Sequence, residues 1–427
     1  MADVQPLQSL HYDPATVGKL ADVVAPPYDV IDDSQRAELL KRSPFNVVAV
    51  DLPKPDDTGN STKDPYEQAG ELFESWQLQG ALLRDPEPAI WAHSQDYTGP
   101  DGIRRTRRGF FCRVRIEDYG PGRVRPHERT HPGPKEDRLK LTRATRANIS
   151  PIFSLYSDPD QKAWQALEPA TQQTPWGEVT DSDDTTHRIW RVSDAQAIQA
   201  VQAATSNAEL LIADGHHRYE TMHAYANEVG GEGAHNYILM CLVALEDPGL
   251  TIFPTHRLVR GLDDARRASL QQALERDFEI AEAQPTEDIT PTPQENAESP
   301  LELGYLDNEG RRLKLKLRDQ QTADQALPGV SDAYKRLDTG VLETLILKSA
   351  LGLTDDDISH FNGLFYARDT KEAEAMVASG EYEAAFLMRP TPVSQTRDIA
   401  AAGENMPPKS TFFYPKLLTG LLFNPLN

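Results

Sequence analysis

Cysteine is scarce: the 427 residues contain two, Cys112 and Cys241, far apart in the chain. No zinc or dithiol spacing can be built from them, and a disulfide framework is excluded. Both are expected to be buried thiols in a reducing compartment. Positive charge is also short. Lys and Arg number 44 against 66 Asp and Glu, a formal charge of −22. A surface this acidic repels nucleic acid and anionic membranes, so neither is expected as a partner. No apolar run approaches the length of a membrane span. The first residues, MADVQPLQSLHYDP, lack a basic region followed by an apolar core. A soluble, cytoplasmic protein is the expectation. No internal repeat is visible.

Several motifs are missing too. There is no GxxxxGK[ST] phosphate loop, no GxGxxG dinucleotide turn, no GxSxG elbow and no kinase-type HRD loop. A bound nucleotide would need another cradle.

One stretch offers it. Residues 209–231 read ELLIADGHHRYETMHAYANEVGG. Leu210, Leu211, Ile212 and Ala213 form an uninterrupted apolar run, as a buried strand does. Asp214 and Gly215 break it. Tyr219, Met222, Tyr225 and Ala226 then recur at helical spacing, and Gly230 and Gly231 close the helix. A helix start carries unpaired N–H groups and partial positive charge. Gly215 allows close approach of backbone to a ligand, and Arg218 supplies a planar fork of donors. The pattern Gly215, His216, His217, Arg218 therefore points to an anion site, most naturally for phosphate. The blander alternative makes Asp214 an N-cap and the histidines local packing.

Other elements follow from periodicity. Helices are expected over 34–41, 64–80, 264–282, 334–351 and 370–379. Strands are expected over 45–52, 89–97, 107–116, 237–246, 361–367, 384–388 and 412–414, with a hairpin over 301–317. Residues 54–63 and the Pro, Thr and Glu-rich stretch 284–300 read as loops. The expected division is 1–150 as an N-terminal α/β segment of the core, 151–283 as the segment with the DGHHR turn, 284–300 as a linker, and 301–427 as a C-terminal α/β domain.

Three further clusters bear chemistry. Lys135, Arg138, Lys140, Arg143 and Arg146 make a basic patch, either a solvated helix face or a second wall of an anion cleft. His256 and Arg257 follow a strand and a proline, where binding residues gather. Lys409, Ser410 and Thr411, after two prolines, could hold a phosphate or carboxylate, or form a structural turn. Residues 127–131, HERTH, match the HExxH zinc motif. However, Pro132 pushes His131 out of the helical region, so the two histidines should not share a helix face. Glu128 is left as an acid or base candidate.

The string DGHHRY resembles the Gly-x-His-Arg signature of the ParB/sulfiredoxin superfamily, and within it the free serine kinase branch, which carries Asp-Gly-His-His-Arg. A sulfiredoxin has cysteine where His216 stands, so that repair chemistry is excluded. The wider set APPYDV, HERTHPGPKEDR, DGHHRYET, PTHRL and MPPKSTFFYPKLLTG resembles the family called domain of unknown function 1015. The resemblance implies an α+β fold: a mixed-sheet ParB/sulfiredoxin-like core with an additional α/β C-terminal domain. It implies that Gly215, His216, His217 and Arg218 hold nucleotide phosphates, with Glu128 and Thr130 as a working pair.

The expected activity is then a nucleotide-dependent phosphotransferase on a small hydroxy or amino acid, using ATP or ADP and magnesium. Glu128, or next Asp214, would take the acceptor proton. Arg138, His256, Arg257, Lys409, Ser410 and Thr411 would clamp the small-molecule substrate. Two alternatives stay open: a phosphatase of an acid such as phosphoserine, with His216 or His217 as nucleophile or general acid, and a non-catalytic nucleotide-binding regulator.

Overall fold

The computed structural model describes residues 2–55, 63–130, 132–294 and 299–427. It parts into two units: Met1–Pro126, Thr130–Leu250 and Pro415–Asn427 form the first, and His127–Arg129 with Thr251–Tyr414 the second. The break therefore falls after Leu250 and again after Tyr414, not at 150 and 284–300. The Pro, Thr and Glu-rich stretch joins two strands within the second unit; its residues 295–298 lie outside the described residues, as do 56–62 of the expected 54–63 loop. Loop composition marks exposure, and exposed loops occur inside a domain as well as between domains.

The first unit is built on a nine-stranded sheet. Its strands are β1 (Val4–Gln5), β2 (Ile90–Thr98), β3 (Arg104–Arg115), β4 (Val124–Arg125), β5 (Ile152–Tyr156), β6 (Gly177–Thr180), β7 (Thr186–Val192), β8 (Leu210–Asp214) and β9 (Tyr237–Ala244). Their order is β4-β8-β5-β9-β3-β2-β7-β6, with β1 also on β3. The sheet is mixed: β8 runs parallel to β4 and β9 parallel to β5, and the other pairs are antiparallel. Central strands such as β9 (YILMCLVA) are apolar on both faces, as doubly covered strands must be. Cys112 and Cys241 are fully buried free thiols on the neighbouring strands β3 and β9. Helices Pro65–Leu78, Pro132–Thr145 and His216–Val229 lie side by side in that order.

The second unit has a six-stranded antiparallel sheet of β10 (His256–Val259), β11 (Phe278–Glu282), β12 (Glu302–Asp307), β13 (Arg312–Leu317), β14 (Leu364–Ala367) and β15 (Ala384–Leu387), ordered β11-β13-β12-β15-β10-β14. Together the units make an α+β protein. No helix among the described residues is long and apolar enough to cross a membrane.

Three expected elements differ. Residues 45–52, read as a strand, form the short helix Val48–Asp51. The Asn46 side chain decides this: its oxygen accepts from Val48 N at 3.0 Å, and its amide donates to the carbonyls of Asp22 and Val24. That local turn outcompetes the β preference of the valines. The helix expected over 264–282 stops at Asp277 and continues as β11, because residues 278–282 pair along β13. The helix expected over 334–351 is broken into Asp338–Leu342 and a π-helical turn, Glu343–Lys348.

Candidate functional site

Strand β8 delivers the DGHHR turn. Its register against β5 slips between Ile212, which faces Ser154, and Asp214, which faces Phe153. Such a bulge re-aims the strand end. Gly215 follows in the left-handed region, φ +99°, as the N-cap of helix His216–Val229. A Cβ at that position would sit 3.0 Å from Arg218 Nε and 3.1 Å from its Cζ, so the guanidinium lies folded over the glycine. Tyr219, buried one turn in, pins the helix start: its hydroxyl donates to Glu117 O at 2.7 Å and accepts from Glu117 N at 3.0 Å.

Arg218 donates through Nη2 to Asp214 Oδ2 at 2.6 Å and through Nη1 to the Pro151 carbonyl. The other Asp214 oxygen accepts from Lys416 Nζ. One carboxylate thus holds two cations. Burial pushes the Asp214 carboxyl up, but Lys416 and Arg218 outweigh it and hold the group well below the usual carboxylate range. His216, itself buried, adds to the lowering.

A second ion pair lies beside this one. Arg138 Nη1 donates to Asp51 Oδ1 at 3.0 Å and to Asp51 O at 2.7 Å, both side chains being buried. Ser150 Oγ donates to Asp51 Oδ2 at 3.1 Å. The Tyr28 ring lies 4.0 Å from the Arg138 guanidinium carbon. Burial pushes the Tyr28 hydroxyl up to about 12 against the pull of Arg218 and Arg138. Burial also pushes Asp51 up, against Arg138 and then Arg218. Asp51, Arg138, Ser150, Arg218 and Thr221 share the lining of a cavity of about 30 Å3.

The basic patch resolves residue by residue. Arg138 belongs to the site. Lys140 pairs with Glu136 at 3.1 Å, and Arg143 with Glu228 at 2.6 Å, both on exposed helix surface. Lys135 pairs with Glu220, which also accepts from the Thr130 hydroxyl at 2.6 Å. Arg146 ends the helix in a left-handed conformation, φ +49°.

The remaining expected site residues sit in the second unit. Glu128, half-exposed, lies 4.0 Å from His127 Nε2. Residues 127–130 are not helical; the helix begins at Pro132, and His131 lies outside the described residues. His256 is 1% exposed, accepting from Met388 N at 3.0 Å, with Thr370 Oγ1 at 3.3 Å. Arg257 donates to the carbonyls of Thr255, Pro408 and Lys409. Ser410 donates to the Pro407 carbonyl at 2.7 Å, and Thr411 lies 2.9 Å from His127 Nε2. Lys409 is exposed, in a left-handed conformation at φ +56°. Internal contacts hold His256, Arg257 and Ser410, the buried members of this expected clamp.

Sequence reasoning missed Tyr28, Asp51, Ser150 and Lys416. Tyr28 and Lys416 lie in the strings APPYDV and PKLLTG, which were a usable signal. Asp51 had none, since it ends a stretch that imitates a strand.

The family model described as "Protein of unknown function (DUF1015)" matches residues 4–340. Among curated proteins none matches the sequence. Among solved structures, a conserved hypothetical protein from Pyrococcus furiosus is similar at 13% identity and TM-score 0.34, covering 70% of this chain and 92% of that one. Free serine kinase in complex with AMP is similar at 15% identity and TM-score 0.33, covering 70% and 89%. SbnI with a C-terminal truncation, from Staphylococcus aureus, is similar at 12% identity and TM-score 0.35, covering 70% and 82%. Likeness at this level assigns no activity.

Proposed function

The chain belongs to the DUF1015 family, and from that footing we propose that its first unit binds the phosphates of ATP or ADP at the Gly215–Arg218 turn and transfers a phosphoryl group to a small hydroxy or amino acid. The ParB/sulfiredoxin-like core is part of the same proposal. The observation that carries it is the cluster at one helix start: a left-handed glycine, Arg218 folded over it, and Lys416 reaching the same carboxylate. Backbone N–H groups, a planar guanidinium and an ammonium are the donors a phosphate takes.

Phosphoryl transfer asks mostly for positioning and charge stabilisation, so cations from three segments suit it. Arg218 and Lys416 face the transferred group in this reading. Arg138 is held by Asp51 and steadies the wall beside them. Asp214 is a poor proton acceptor, because its neighbours hold it ionised far below neutral pH. It accepts from both cations in this structure. Magnesium usually rides on the nucleotide's own phosphates and would neutralise their charge there. Among the described residues no group of three His, Cys, Asp or Glu side chains is placed to hold a metal. Glu128 is carried by the second unit and has no part in a reading confined to the first.

Arg218→Ala is expected to abolish ADP binding in calorimetry while the thermal melt stays cooperative. Unchanged affinity in a folded variant rejects the proposal. Hydrolysis is the second reading, favoured by the burial of His216 next to Asp214. Phosphate release from phosphoserine without nucleotide would select it.

A further inference from the structure

The chain leaves the first unit at Leu250 and returns at Pro415. The returning segment is fastened at every step. Arg107 Nη2 donates to the Pro415 carbonyl at 2.6 Å, and Gln95 Nε2 to the Lys416 carbonyl at 3.0 Å. Arg107 and Gln95 are themselves buried and bonded, Nε to Oε1 at 2.9 Å, with the guanidinium carbon 4.4 Å from the Phe153 ring. Further on, Thr419 pairs with Ala25 through backbone bonds at 2.8 and 3.1 Å, and Thr419 Oγ1 meets Ser150 Oγ at 2.8 Å. A backbone anchored this tightly aims one flexible side chain, Lys416, at the DGHHR turn.

The Asp214 carboxylate that receives Lys416 is also the partner of Arg218. Two cations converging on one anionic group is the arrangement a phosphate would demand. Resting on the phosphate reading above, we infer that Lys416 is a ligand-binding residue of this site and that Asp214 holds the anion's place until the ligand arrives. On binding, the ammonium of Lys416 and the guanidinium of Arg218 exchange the carboxylate for phosphate oxygens. Ordered delivery of Lys416 then makes the C-terminal segment part of the site.

The test is calorimetric titration of the full chain with inorganic pyrophosphate, without magnesium. Lys416→Met should weaken binding about tenfold or more, the scale of a lost charge-assisted hydrogen bond. Asp214→Asn should tighten it several-fold, since a competing like charge is gone. The double variant should bind more tightly than Lys416→Met alone. Lys416→Met binding as well as wild type while Arg218→Ala fails to bind would overturn this inference and leave the phosphate reading intact. Wild type failing to bind, or neither cation mattering, would overturn both. Weaker binding by a folded Asp214→Asn would remove the place-holding role. If that variant does not melt cooperatively, the comparison of Lys416→Met with Arg218→Ala still decides for or against Lys416.

Discussion

Both units set histidine and arginine side by side at a strand end. In the first, His217 and Arg218 follow β8; in the second, His256 and Arg257 open β10. The residue types are the same and the outcomes differ. Arg218 is held by a carboxylate that also serves Lys416, and by one backbone carbonyl, that of Pro151. Arg257 is 3% exposed and held by three backbone carbonyls. A cation on a shared carboxylate can trade it for another anion and keep a charged partner. A cation on carbonyls can leave only if those carbonyls go unsatisfied, which costs roughly 1–3 kcal/mol for each such group. The first arrangement suits a ligand and the second suits a scaffold.

Breaking a buried pair in the second unit should give the largest effect. Arg389 donates through Nη2 to Asp338 Oδ1 at 3.0 Å and to the Pro300 carbonyl at 2.8 Å, with both side chains buried. Arg389→Met removes the cation that offsets burial at Asp338 and leaves Gln294 Nε2, at 3.4 Å, as its side-chain donor, so denaturant titration should show a loss of about 3–5 kcal/mol. Pyrophosphate affinity should not move, because the pair belongs to the scaffold.

Acid should act on the same unit through His256. Burial first, then Arg257, lowers its imidazole from 6.5 to about 4. The unfolded chain therefore takes up a proton before the folded one as pH falls. The stability from neutral His256 is complete above its unfolded value and disappears toward its folded value, roughly 3 kcal/mol in all. His256→Gln should flatten the stability difference between pH 4.5 and 7.5 by about that much; an unchanged profile would show that the imidazole is not buried.

Gly215→Ala sharpens the comparison from the other side. At φ +99° a Cβ is strained, and it would press on the Arg218 guanidinium. A modest loss of about 1–2 kcal/mol is expected. Pyrophosphate affinity should fall with it. The smallest effect should come from Lys409→Ala. The side chain is exposed, so stability should stay within about 0.5 kcal/mol and affinity unchanged. A marked loss of binding there would support Lys409 as part of the substrate clamp.

Much of the frame was legible in the residues. The apolar run Leu210 to Ala213, the Asp214–Gly215 break and the helical spacing after it set out β8, its turn and its helix, because short-range pattern and a glycine requirement act within a few residues. The same was true of the hairpin around β12 and β13. Periodicity failed where distant partners rule. The valines of 47–50 say strand, and Asn46 with its contacts at Asp22 and Val24 makes them helix. Residues 278–282 continue a helical charge pattern, and pairing with β13 makes them a strand.

The sequence on its own determined a strand-turn-helix with anion-seeking groups at the turn, since those groups lie within five residues of one another. Tertiary structure alone decided which distant charges join them. Asp51, Arg138 and Lys416 reach the turn from positions 163, 76 and 202 residues away from Asp214, by the differences 214 − 51, 214 − 138 and 416 − 214. Burial forces every such charge to find a partner. Which partner it finds depends on how the strands are ordered, and no local pattern encodes that order.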